Sequence, residues 1–136
     1  MRKEVIGRFV NTSPQTFTEA SNILFNQITT TSSTLGYNTD GSISIKTPGL
    51  YKIYVNVTIV GTATGDVSVS LLEGINSIPG AAGTETISTI GDKTNIAFST
   101  IVTVKANCGT TFATLNLNCG NAATINVVNL IIERVD

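Results

Sequence analysis

Leu50-Tyr51-Lys52-Ile53-Tyr54-Val55-Asn56-Val57-Thr58-Ile59-Val60 alternates at period two along its whole length. Tyr51, Ile53, Val55, Val57 and Ile59 fall on one side of an extended chain, and Lys52, Tyr54, Asn56 and Thr58 on the other. Successive side chains take opposite faces only in a strand, so the stretch reads as a β-strand with one apolar and one mixed face. Pro48-Gly49, immediately before it, marks the turn that feeds it.

The same period recurs on both sides. Upstream, Ser42 to Lys46 sets Ile43 and Ile45 on one face behind an Asp40-Gly41 turn, and is predicted to neighbour the Leu50 strand. Downstream, Gly61 to Gly65 breaks the pattern and Val67, Val69 and Leu71 restart it against Ser68 and Ser70. Gly74 to Thr84, with Pro79-Gly80 and several small residues, fits a loop or a bulged edge strand, with Ile87 and Ile90 covering the rim. Asn95 to Lys105 and Thr110 to Asn118 are two further strands, the second with an irregularity near Ala113.

Thr124 to Val135 breaks the one-apolar-face rule. Ile125, Val127 and Ile131 lie in one phase, and Val128, Leu130 and Ile132 in the other. A strand with one solvated face should not look like this. Another subunit is the preferred cover for the second face, and the chain's own N-terminus is the competing one. The N-terminal third is less regular, with apolar clusters at Val5, Ile6 and Phe9 and at Ile23, Leu24, Phe25 and Ile28, then a Thr/Ser-rich loop from Thr29 to Thr34.

Eight or more short strands with Gly/Pro turns and no helical period predict an all-β, two-sheet antiparallel sandwich of jelly-roll type. An immunoglobulin-like sandwich competes, weakened by the absence of Trp and of a plausible inter-sheet cysteine pair. With 136 residues and no linker or repeat, the expected organisation is a single domain over 1–136, its first forty residues the least regular.

Charged residues make up only 12% of the chain, against roughly 25% in an average soluble domain. Thr and Ser, about a quarter of the residues, keep the surface wet instead. A net charge of -1 and scattered Lys and Arg give no field for a phosphate backbone, so no nucleic-acid partner is expected. No apolar run approaches the about 20 residues that cross a bilayer, and residues 1–10 lack the apolar core of a secretory signal. Neither a membrane partner nor export is expected; synthesis is expected in the host cytoplasm.

Histidine is absent, which removes the commonest general base, the usual triads and most transition-metal sites. The carboxylates are isolated in sequence, and the loop aspartates Asp40, Asp66 and Asp92 have turn-forming rather than EF-hand spacing. Cys108 and Cys119 flank one strand, which would hold them about 35 Å apart. Disulfide Cα atoms lie only about 4.4–6.8 Å apart, so two unpaired thiols are expected, a bridge between subunits staying open. Neither cysteine has the cationic or helix-terminus setting of a nucleophile. The glycine pairs near 61–65 and 80–83 lack a following helix and a Lys, so they are turns rather than phosphate loops. Asn11-Thr12-Ser13 and Asn56-Val57-Thr58 match a glycosylation sequon by chance. No catalytic residue, cofactor or metal site is assigned.

Thr47-Pro48-Gly49-Leu50-Tyr51-Lys52-Ile53 resembles the Pro-Gly-x-Tyr-x-aliphatic signature of the C1q/TNF-like trimeric jelly-roll superfamily. Ala63 to Leu72, Ile78-Pro79-Gly80-Ala81 and Asn129 to Val135 are similar to the small C1q-like proteins of Firmicutes and their phages, above all head-decoration and head-fibre proteins. The resemblance spans about 40–136. It implies a homotrimer whose terminal strands and Tyr-bearing strand line the three-fold contact. Tyr51 would then be a core or axis aromatic and Tyr54 an interface residue, and the candidate trimer-interface positions are Tyr51, Tyr54, Ile125, Val127 and Ile131. It further implies a non-enzymatic protein of the virion surface that docks on the major capsid protein or another virion component. An adhesive head that binds receptor or host-surface glycan, on a phage fibre or a bacterial spore, is the alternative. The chain carries no Gly-x-x stalk, so whatever trimerises it must lie in the head itself.

Overall fold

The computed structural model describes residues 3–109 and 111–135. In chain order the strands are β1 (Lys3–Asn11), β2 (Gln15–Phe17), β3 (Ser21–Asn22), β4 (Gln27–Thr30), β5 (Leu35–Tyr37) and β6 (Ile43–Ile45). They continue with β7 (Gly49–Val60), β8 (Gly65–Glu73), β9 (Asn76–Ile87), β10 (Lys93–Val104), β11 (Ala113–Cys119) and β12 (Ala123–Val135). The first sheet runs β10-β7-β12-β1-β4, with β2 beside the start of β12; the second runs β5-β6-β11-β8-β9, with β3 beside β11. Every pairing is antiparallel. This is the jelly-roll sandwich that the alternation predicts.

Period two decides what is inside. Tyr51, Ile53, Val55, Val57 and Ile59 of β7 are buried against Val67, Val69 and Leu71 of β8 and Leu115 and Leu117 of β11 in one continuous core. Each such side chain contributes roughly 1.5–3 kcal/mol by leaving water. The Tyr51 hydroxyl is carried inside with its ring and donates to the Thr47 carbonyl at 2.6 Å, so the Pro48-Gly49 turn is tied to the core it introduces.

Several sequence expectations change. Ser42 to Lys46 does supply a strand, but β6 pairs with β5 and β11 in the second sheet, not with β7. Alternation tells which face is buried, not which strand lies alongside. The N-terminal residues, expected to be irregular, provide β1, which runs between β12 and β4 in the first sheet. Thr29 and Thr30, expected to begin a loop, instead close the short edge strand β4 (Gln27–Thr30). Ile87 is buried as expected, whereas Ile90 is 67% exposed and covers no rim. β11 begins at Ala113, where the irregularity was expected, and the predicted strand start at Thr110 lies outside the described residues. Gly74 to Thr84 is the bulged edge alternative: β9 shifts register against β8 between Ser70 and Leu72, and Gly80 sits at φ 78°.

Candidate functional site

One feature of β12 decides which residues are available at the surface. Its register against β7 slips between Ile125 and Val127. An extra residue in a strand reverses the facing of everything beyond it. Ile125 therefore points inward with Val128, Leu130 and Ile132, and is 1% exposed. Val127 points outward at 39% exposed, and Ile131 follows on the same side, half-buried. Two of the expected interface residues thus belong elsewhere: Ile125 and Tyr51 lie inside the sandwich and have no surface to offer a second subunit. Val127, Ile131 and Tyr54 share the outward face of the first sheet. Strand β1 does not cover this face, because it lies edge to edge with β12 in the same sheet.

The registers lay the outward face out as a grid. Ser99 of β10, Tyr54 of β7, Ile131 of β12 and Arg8 of β1 form its middle row. On one side of it run Ala97, Asn56, Asn129 and Val10, and on the other Ile101, Lys52, Glu133 and Val5. A groove of about 660 Å³ follows these rows, lined among others by Val5, Tyr54, Ala97, Asn129, Ile131 and Glu133. Val5 at 52% and Ile101 at 57% exposed extend the apolar surface toward both sides. Both were missed in the sequence. Val5 precedes a register shift at Val5/Gly7 that hides its phase, and Ile101 stands among Ser99 and Thr103 on a polar-looking face.

The polar groups of the groove are incompletely used. Lys52 stands opposite Glu133, yet its ammonium lies over the Tyr54 ring, 5.1 Å from the centroid. Asn129 Oδ1 and Glu133 Oε1 are shielded from solvent and meet no hydrogen-bond donor among the described residues. A shielded acceptor without a donor costs roughly 1–3 kcal/mol, and more when charged.

The three aspartates each serve a structural contact, and Asp66, expected in a loop, lies in β8: Asp40 accepts from the Ser42 hydroxyl at 2.6 Å, Asp66 from Thr86 across to β9 at 2.7 Å, and Asp92 from the Thr89 N–H at 3.1 Å. The Ser42 hydrogen bonds hold the Asp40 carboxyl below its ordinary range. Among the described residues no three Cys, Asp or Glu side chains converge as metal ligands. Cys108 is exposed and Cys119 buried, both free thiols. Burial pushes the Cys119 thiol up, away from the thiolate a nucleophile needs. Of the two sequon asparagines, Asn11 is buried, its amide nitrogen donating to the Leu24 carbonyl at 2.9 Å, while Asn56 is exposed in the grid described above.

No known family profile matches the chain, and no curated protein sequence does. Solved structures do. Eiger TNF from S. frugiperda superposes with a TM-score of 0.70 at 12% identity, over 97% of this chain and 93% of that one. The globular domain of zebrafish complement 1qA gives 0.65 at 9% identity, over 96% and 95%. Rabbit GITRL gives 0.60 at 16% identity, over 98% and 95%. At these identities the likeness is one of fold: the chain is a jelly roll of the TNF/C1q type.

Proposed function

We propose that this chain is a non-enzymatic structural protein that associates with copies of itself, as a trimer, through the outward face of its first sheet, and that the trimer decorates a phage capsid. The observation that carries self-association is the face itself. Tyr54, Ile131, Val127, Val5 and Ile101 form an apolar surface interrupted by two shielded acceptors that meet no donor among the described residues. A monomer would leave that surface in water, whereas a closed ring of copies buries it. Interfaces formed this way are the more hydrophobic class. The TNF/C1q-type fold and the Thr47 to Ile53 signature favour a three-fold ring. The capsid rests on the sequence resemblance, on a charge-poor hydroxyl-rich surface and on the absence of histidine chemistry.

Two measurements test the reading. Light scattering behind size exclusion should give a trimer, and the purified trimer should co-sediment with capsids that lack it. A monomer removes the mechanism, and a trimer that ignores capsids removes the virion role.

One observation favours a second reading, a binding head for a receptor or surface glycan. Ile75, at the tip between β8 and β9, is 94% exposed, an apolar side chain held almost wholly in solvent. Binding to cells or glycan arrays that is lost in Ile75→Ser, without capsid binding, would favour that role.

A further inference from the structure

We propose that Arg8 of each copy pairs with Glu133 of the next copy, so that a ring of these ion pairs closes the seam. This rests on the self-association proposed above and adds the groups that set its register. Three observations lead to it. Glu133 Oε1 is shielded from solvent and has no donor among the described residues. Lys52, the nearest cation by register, is directed to the Tyr54 ring rather than to Glu133. Arg8 is exposed on the same face, beside Ile131, and has no hydrogen-bond or ion-pair partner among the described residues.

Position explains why the two groups stay apart in one chain. Val5, not Arg8, stands opposite Glu133, so Arg8 is only a diagonal neighbour on the adjacent strand. In water such a pair gains too little to order two long side chains. Closing the seam changes the balance, because water leaves and an unpaired carboxylate becomes costly. A guanidinium offers five N–H donors in a planar fork that fits a carboxylate with two parallel bonds. Each copy brings one Arg8 and one Glu133 to the same face, so a closed ring leaves neither in excess. Such pairs fix register and partner choice more than they add affinity.

Sedimentation equilibrium on charge-reversed variants tests this. Arg8→Glu and Glu133→Arg should each weaken association at least tenfold, while the double variant returns to within a few-fold of wild type. The decisive arm mixes the two single variants. In a mixed ring of three, two interfaces are oppositely charged and one stays like-charged, so a pair across copies makes the mixture associate more tightly than either variant alone but less tightly than wild type; a mixture no tighter than either variant alone overturns the proposal. Ile131→Asp runs alongside as the control for the seam. If it dissociates the assembly while both charge variants assemble like wild type, the ion pair is wrong and the seam stands. Should Ile131→Asp assemble normally, the seam itself is wrong.

Discussion

Tyr54 and Ile131 stand opposite one another across β7 and β12, at the centre of the outward face of the first sheet. Neighbouring residues on both strands, Val55 and Leu130, are likewise opposite one another and lie in the core. One step along either strand therefore separates the fold's interior from its candidate contact surface. Substitutions on the two phases should have different readouts.

On the outward phase, Tyr54→Asp or Ile131→Asp should break self-association and leave the fold intact. A charge there is solvated in the monomer but stranded in the seam. We expect a shift to monomer in light scattering with an unchanged far-ultraviolet circular dichroism spectrum. Loss of the β-spectrum would instead mean that the face is needed for folding.

On the inward phase, Tyr51→Phe removes the 2.6 Å hydrogen bond to the Thr47 carbonyl and should cost about 1 kcal/mol. Tyr51→Ala also leaves a cavity and should cost about 3–5 kcal/mol. Chemical denaturation measures both. Neither should change the particle mass while the protein is folded, which separates a core tyrosine from an interface tyrosine.

Gly61 lies where the chain leaves β7, and a Cβ there would come within 2.3 Å of Ile87 Cγ2. Gly61→Ala should destabilise by about 1–3 kcal/mol through overpacking. Pairing it with Ile87→Ala should recover part of that loss, a non-additivity that a double-mutant cycle reads directly.

How much of this was legible in the sequence follows from what period two encodes. The β7 residues Tyr51 to Ile59 disclosed their buried face because every second residue is apolar without interruption. β12 misled because a single bulged position between Ile125 and Val127 inverts the phase, and an uninterrupted apolar run hides the inversion. β6 was placed beside β7 because chain neighbours often pair, whereas the chain here crosses between sheets around Pro48. The shielded oxygen of Glu133 has no sequence signal, since its isolation depends on where the Lys52 ammonium opposite it goes.

The thiols should differ in reactivity. Cys108 is exposed in the loop before β11, while Cys119 is buried with its thiol pushed up by desolvation. A thiol-disulfide reagent at neutral pH should modify one thiol per native chain quickly and reach the second only after denaturation. Cys108→Ser should abolish the fast phase.

Asp40 supplies a pH dependence of known sign. Its carboxyl is held below the ordinary value of 3.8 by the Ser42 hydroxyl and N–H. A folded-state value below the unfolded one means the stabilisation is complete above pH 3.8 and lost as pH falls through the lowered value. The stability difference between wild type and Asp40→Asn should therefore be constant above that pH and shrink below it, as followed by denaturant titration at stepped acidic pH.

The central claim is that the outward face of the first sheet is a contact between copies of this chain. The molar mass of the purified protein at micromolar concentration, measured by light scattering or sedimentation equilibrium, tests it most directly. The account predicts three times the 14.2 kDa of one chain, falling to one chain in Ile131→Asp. A wild-type mass of 14.2 kDa at every concentration tested would contradict it.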